Sequence, residues 1–224
     1  MTFDLAEIYR DIRTGLIRVA KDLSPTEWDT LAPATPQWTV KDLYAHLTGV
    51  ATDVLAGNFI SPGTDEWTAK QVGDRSGHTP SQVCAEWDEV GPELEDLLDR
   101  EGAASSSVVI DVWHHDQDAR NAIGHHANRT GGGLLLALRA GNVMGAKIQA
   151  AGLPTLRVTT ESYDRIFGEG DPAVAVSGDP YEMARAFMGR RSFDQIKGFD
   201  WTGNADAYLP HFSVFESRID ARVE

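Results

Sequence analysis

Val109–Arg120 reads VIDVWHHDQDAR, two adjacent histidines and three aspartates among residues that otherwise favour a helix. At about 100° per residue, with Asp111 at zero, Ala122, His115, Val108, Ala119, Val112 and Ile123 fall between about 20° and about 120°. His115 therefore lies inside an apolar arc. Asp111 sits at the edge of that arc one turn earlier, and Asp118 just beyond it on the same side. His114, Asp116, Gln117 and Arg120 point elsewhere. A helix that turns an imidazole and a carboxylate inward belongs to the interior of a bundle, where ionisable groups are costly unless paired or bound to a metal.

A second helix repeats the arrangement. In Pro36–Gly57, PQWTVKDLYAHLTGVATDVLAG, with His46 at zero, Val50, Leu43, Val54, Leu47 and Val40 occupy about 40° to about 120°. Thr39 is its expected N-cap, and Gly57 stands near its end. Residues at i and i+4 are neighbours on a helix face and can ligate one ion, and helical bundles build metal sites in this way. His46, Asp111 and His115 would supply three ligands and leave positions open, the pattern of a catalytic zinc site. Ferrous iron or nickel accept the same ligand types. The spacing also fits a pair of hydrogen-bonded core histidines with an adjacent aspartate, the commoner arrangement, and both readings stand at this point.

The remaining punctuation frames a fold. Helix one is expected from Phe3 to Leu23, before Ser24-Pro25. Residues 58–78 read as a long polar loop with a short helical turn. Helix three is TPSQVCAEWDEVGPELEDLLDREG, capped by Thr79 with Pro80 first and a bend expected at Gly91-Pro92. Helix four holds the opening stretch, and helix five is GGGLLLALRAGNVMGAKIQAAG. After Pro154 the texture changes to β-branched runs, TLRVTTESYDRIFG and PAVAVSGDP, whose simplest reading is a hairpin, followed by a helix over YEMARAFMGRR. The expected architecture is mainly α: a helical bundle over 1–153 carrying the site, then a small α+β domain over 154–224.

Composition narrows the function. With 42% hydrophobic and 24% charged residues, the chain sits in the ordinary globular range. A formal charge of -14, 34 acids against 20 bases, argues against a surface for nucleic-acid phosphates or anionic lipid. No run approaches a membrane span, and the first residues carry acids from position 4, unlike a signal peptide. The single cysteine, Cys84, excludes an internal disulfide and makes the reducing cytoplasm the expected compartment. Beside Val83 and Trp87 it reads as a packed thiol. His125-His126 follows Gly124 in a polar loop and reads as solvated. The glycines follow no dinucleotide-binding or phosphate-loop spacing, so no nucleotide cofactor is expected.

Three motifs carry a family resemblance. WTVKDLYAHLTGV (Trp38–Val50), DVWHHDQDARNAIG (Asp111–Gly124) and VSGDPYEMARAFMGRRS (Val176–Ser192) occur in the order seen in the mycothiol-dependent maleylpyruvate isomerases. That family is part of the DinB-like superfamily of antiparallel four-helix bundles. The resemblance implies metal ligation by His46, Asp111 and His115, with aspartate where relatives often have glutamate. It implies mycothiol as thiol cosubstrate. It also places the catalytic arginine at Arg190, with Arg191 adjoining in a register the motif leaves open. A metal with open positions can hold such a thiol as thiolate, so the protein needs no cysteine nucleophile of its own. Asp118 would fix a ligand imidazole from behind or pair with Arg120; Arg190 would recognise a carboxylate or developing enolate or sit as a helix C-terminal charge.

The expected activity is a metal-dependent, thiol-dependent isomerase or S-transferase acting on a small electrophile. Two other classes use the same features. A hydrolase would activate water at the same three ligands, and a non-catalytic binding module would keep the bundle without an open metal site.

Overall fold

The computed structural model describes residues 3–58, 63–102 and 106–215. The chain divides into two compact units, the first reaching Asn128 and the second beginning at Arg129.

The first unit contains α1 (Leu5–Ala20), α2 (Pro25–Trp28), β1 (Leu31–Ala32), β2 (Thr35–Thr39), α3 (Val40–Leu55), α4 (Asp65–Asp74), α5 (Pro80–Glu101) and α6 (Ser106–Ala122). Helices α1 and α3 each pack against both α5 and α6, which closes a four-helix bundle. The helix starts follow the local sequence. Thr39 and Thr79 each form a reciprocal capping box, with Asp42 and Gln82, and Pro80 opens α5. Helix α5 runs on through Pro92, where a bend was expected.

Leu16, Leu43, Leu94, Val109 and Trp87 are fully buried at the centre of the bundle. Its buried aromatics satisfy their polar tips: Trp87 Nε1 donates to Tyr9 Oη at 2.8 Å, and Tyr44 Oη donates to the Leu16 carbonyl at 2.9 Å. The core also holds a charge cluster. Arg13 and Glu95 are each 4% exposed; Arg13 Nε and Nη2 reach Glu95 Oε1 at 3.0 and 2.9 Å, and Arg10 Nε reaches Glu95 Oε2 at 2.7 Å.

Helix α6 is buried without interruption from Val112 to Asn121. The polar residues off the apolar arc therefore do not reach solvent, because partners close around them. Asp116 accepts from Arg120 Nε at 2.6 Å, Gln117 Nε2 at 2.9 Å and Asn128 Nδ2 at 3.0 Å. Burial pushes the Asp116 carboxyl above its usual range, opposed by those same donors. His114 is fully buried, edge-on to Trp113 at 4.8 Å.

Two elements differ from the sequence expectation here. The region read as a loop contains α4, capped by Thr64 with Asp65 and Glu66 in its first turn. It packs on α3 at Gly49, where a Cβ would lie 2.5 Å from Gln71 Cβ, so only glycine admits the approach. The residues before Thr39 form β2, which pairs antiparallel with β1.

The second unit contains α7 (Gly131–Ala137), a 3-10 segment (Leu138–Val143), α8 (Met144–Ala150), β3 (Leu156–Thr160), β4 (Tyr163–Phe167), β5 (Val174–Ser177), α9 (Pro180–Phe187), α10 (Phe193–Lys197) and β6 (Asp200–Thr202). The expected fifth helix is thus interrupted. Its 3-10 segment packs on α9, and at Gly141 a Cβ would meet the Phe187 ring at 2.6 Å. Residues 131–150 pack against α9 and β4 within the second unit.

Strand order in the sheet is β4-β3-β5-β6. The hairpin lies within the first β-branched run, β3 with β4, while the second run, β5, adds parallel to β3. No helix among the described residues is long and apolar enough to cross a membrane.

Removing one partner of the Arg13–Glu95 pair leaves a buried charge short of its acceptor, which costs on the order of 3 kcal/mol. Glu95→Ala is expected to lower unfolding stability by about that amount in urea titration, whereas alanine at the exposed partner Asp88 should cost less than about 1 kcal/mol.

Candidate metal centre

Helices α3 and α6 bring His46, Asp111 and His115 together. One donor atom from each lies within 4.8 Å of the other two, and no other cluster of this kind occurs among the described residues. Asp111 faces both rings, with Oδ2 3.5 Å from His46 Nε2 and Oδ1 3.6 Å from His115 Nε2. The two imidazoles are 2% and 7% exposed and stand nearly perpendicular, with centroids 4.8 Å apart.

These distances suit a cation. Tetrahedral ligands at about 2.0–2.1 Å from zinc are about 3.4 Å from one another. The carboxylate-to-imidazole separations are close to that edge, and the donors are the nitrogen and oxygen types zinc accepts.

The rear of each ring is occupied, which decides what the front can do. His115 Nδ1 lies 2.9 Å from Asp118 Oδ2, and Asp118 is fully buried. A carboxylate facing Nδ1 favours the ring proton on that nitrogen and leaves the lone pair on Nε2, toward Asp111. Burial pushes the His115 imidazole below its usual range against the pull of Asp111 and Asp118. The ring is therefore neutral at pH 7, the form that ligates. Arg120, the alternative partner of Asp118 from sequence, donates from Nε to Asp116 at 2.6 Å.

His46 Nδ1 lies 2.8 Å from Gln71 Oε1, an atom supplied by α4. Trp38, from β2, covers both rings at centroid distances of 4.9 and 5.7 Å, and Trp67, from α4, meets His46 edge-on at 6.4 Å.

Gln71, Trp38 and Trp67 were not assigned roles from sequence. Thr64 followed by Asp65 and Glu66 is the helix-start signal that would have placed Gln71 and Trp67 on a helix. Trp38 lacks a comparable signal, since its position depends on how the β1–β2 hairpin lies against α6.

The other candidate residues are not members of this cluster. His125 and His126 are exposed, with His126 Nδ1 3.1 Å from Asn121 Oδ1. Cys84 is half-buried, and burial pushes its thiol up to about 11. In the second unit, Arg190 follows α9 and is 8% exposed, with Nη1 donating to the Met188 carbonyl at 2.9 Å. Arg191 forks onto Glu182, with Nη2 to Oε1 at 3.0 Å and Nε to Oε2. Although burial pushes the Glu182 carboxyl up, the Arg191 guanidinium outweighs it and holds the group below its usual range.

Outer partners of ligand imidazoles typically change metal affinity by about 10- to 100-fold. Asp118→Ala is expected to weaken Zn2+ binding by about that factor in a chelator-competition titration, and equal affinity in the variant would contradict the arrangement.

The family model described as the mycothiol maleylpyruvate isomerase N-terminal domain matches residues 9–128. Among solved structures, a mycothiol-dependent maleylpyruvate isomerase aligns with a TM-score of 0.60 at 17% identity. A histidine-to-alanine mutant of the mycothiol-dependent maleylpyruvate isomerase aligns at 0.57 and 15%. Each alignment covers 88% of this chain and 91% of the other, a likeness of fold at that identity. No curated protein matches the chain. The family model spans more than half of the sequence and contains the whole histidine–aspartate–histidine cluster, and on that ground the chain belongs to the mycothiol maleylpyruvate isomerase family.

Proposed function

We propose that the chain is a metal-dependent enzyme that uses mycothiol as its thiol cosubstrate and acts on a small electrophile as an isomerase or an S-transferase. The observation that carries this reading is the cluster of His46, Asp111 and His115, whose ring nitrogens face one carboxylate inside a bundle. These three residues would hold a divalent cation, Zn2+ first, with Ni2+ and Fe2+ fitting the same donors. The cation supplies the Lewis-acid charge that keeps a small-molecule thiol as thiolate at neutral pH.

The chain's own residues prepare that chemistry. Asp118 holds the His115 proton on Nδ1 and stabilises the positive charge that the ring acquires as a ligand. Trp38 and Trp67 place apolar ring surface against the imidazoles. Cys84, with its thiol pushed up to about 11, is unsuited as a nucleophile, consistent with a thiol brought from outside.

In the isomerase form of the reaction, the thiolate sulfur adds to an activated double bond and the π electrons pass to the conjugated carbonyl as an enolate. The new single bond rotates, and expulsion of the thiolate restores the double bond in the other geometry. A transferase would stop at addition or displacement. The family resemblance gives the role of stabilising the enolate or a substrate carboxylate to Arg190, with Arg191 adjoining it in a register the motif leaves open.

Metal content by plasma mass spectrometry is expected to be near one ion per wild-type chain and strongly reduced in His115→Ala. Turnover of maleylpyruvate is expected to require added mycothiol and to be abolished by chelation. Turnover without any thiol would replace this reading with a metal-activated-water hydrolase, and a wild type that takes up no metal would end both.

A further inference from the structure

The orientation of the Gln71 amide decides whether His46 can act as a ligand through Nε2. With Oε1 toward the ring, the proton stays on Nδ1 and Nε2 keeps its lone pair facing Asp111. With the amide nitrogen toward the ring, Nδ1 must accept, and the proton moves to Nε2. The direction is set on the far side of the amide. Gln71 Nε2 lies 2.7 Å from Asp53 Oδ2, and a carboxylate offers no donor, so the NH2 group belongs there and the oxygen toward His46.

The parts of this relay are held in place. Asp53 stands two turns after His46 on the same face of α3, and its Oδ1 accepts from Asn58 Nδ2 at 2.9 Å. Gln71 is 2% exposed, seated over Gly49. Arg75 Nη1 donates to the Gln71 carbonyl at 3.2 Å and Nη2 to Thr52 Oγ1 at 3.1 Å, tying α4 to α3 beside it.

We propose that Asp53, acting through Gln71, is a positioning residue that fixes His46 in the tautomer whose Nε2 lone pair faces the metal centre. This assignment rests on the metal-binding reading of the cluster. It makes a residue that touches neither ring a determinant of metal affinity. It parallels the direct contact of Asp118 with His115, with one amide inserted between the carboxylate and the ring.

The relay has a polarity that paired substitutions can invert and restore. In Asp53→Asn, the new amide keeps its oxygen on Asn58 and turns its NH2 to Gln71. Gln71 then reverses and donates to His46 Nδ1. In Asp53→Asn with Gln71→Glu, the asparagine donates to the new carboxylate, which again accepts from Nδ1.

Two measurements read this out: long-range 1H–15N NMR of the metal-free protein, which reports the His46 tautomer, and Zn2+ affinity by chelator competition. Asp53→Asn is expected to move the ring proton to Nε2 and weaken zinc binding on the order of 10- to 100-fold. The double variant is expected to return both to near wild type, which a mere packing role for Asp53 would not produce. A tautomer unchanged in Asp53→Asn, or a double variant that recovers neither, overturns the proposal. Should Asp53→Asn fail to fold, Gln71→Leu removes the acceptor outright and is expected to release the Nδ1–H tautomer; retention of that tautomer overturns the proposal equally. A tautomer that follows the substitutions in a protein that binds no zinc would overturn the metal reading while leaving the relay standing.

Discussion

Two imidazoles buried on different helices of one bundle, with a single carboxylate between them, are the constraint on which the first unit depends. If the cluster binds a cation, each ring would ligate as the neutral form with its proton on the outer nitrogen. The surroundings answer these demands one by one. Asp118 lies behind His115, Gln71 lies behind His46, and Trp38 covers both. Helix α4, which the bundle does not need for closure, supplies the Gln71 contact and comes close to α3 at Gly49.

The same constraint explains the unusual character of α6. A helix that turns an imidazole and several carboxylates inward from a polar sequence cannot keep a simple apolar face and a solvated face. It is buried on every side from Val112 to Asn121 and carries its polar groups inside. Asp116 gathers three donors, and Asn128, at a backbone φ of 57°, closes the end of the network while its carbonyl accepts from Trp113 Nε1. Arg13 and Glu95 solve the corresponding problem between α1 and α5. Buried polar networks of this kind add little net stability but penalise arrangements in which a member is left unpaired.

What could be read from sequence was what local chemistry decides. Thr39 and Thr79 cap helices because their hydroxyls meet backbone N–H groups three residues on, and helical period alone turns His46 and His115 toward the apolar side of their helices with Asp111 at its edge. What escaped depended on distant contacts. The fifth helix breaks where Phe187 meets Gly141, the sheet takes β5 parallel to β3 after a hairpin nested within one run, and the inward fate of Asp116, Gln117 and Arg120 needed Asn128 from beyond the helix. Helix α4 is a different case: its cap was written in Thr64-Asp65-Glu66 and was outweighed by the glycines and polar residues around it.

The central claim is that His46, Asp111 and His115 bind one divalent cation through both Nε2 atoms and the carboxylate. Anomalous diffraction at the zinc edge, from crystals of the intact chain grown with equimolar Zn2+, tests it most directly. The account predicts one strong peak at about 2.0–2.2 Å from His46 Nε2, His115 Nε2 and an Asp111 oxygen. Zinc bound elsewhere on the chain with this cluster lacking a peak, or held through either Nδ1, would contradict it.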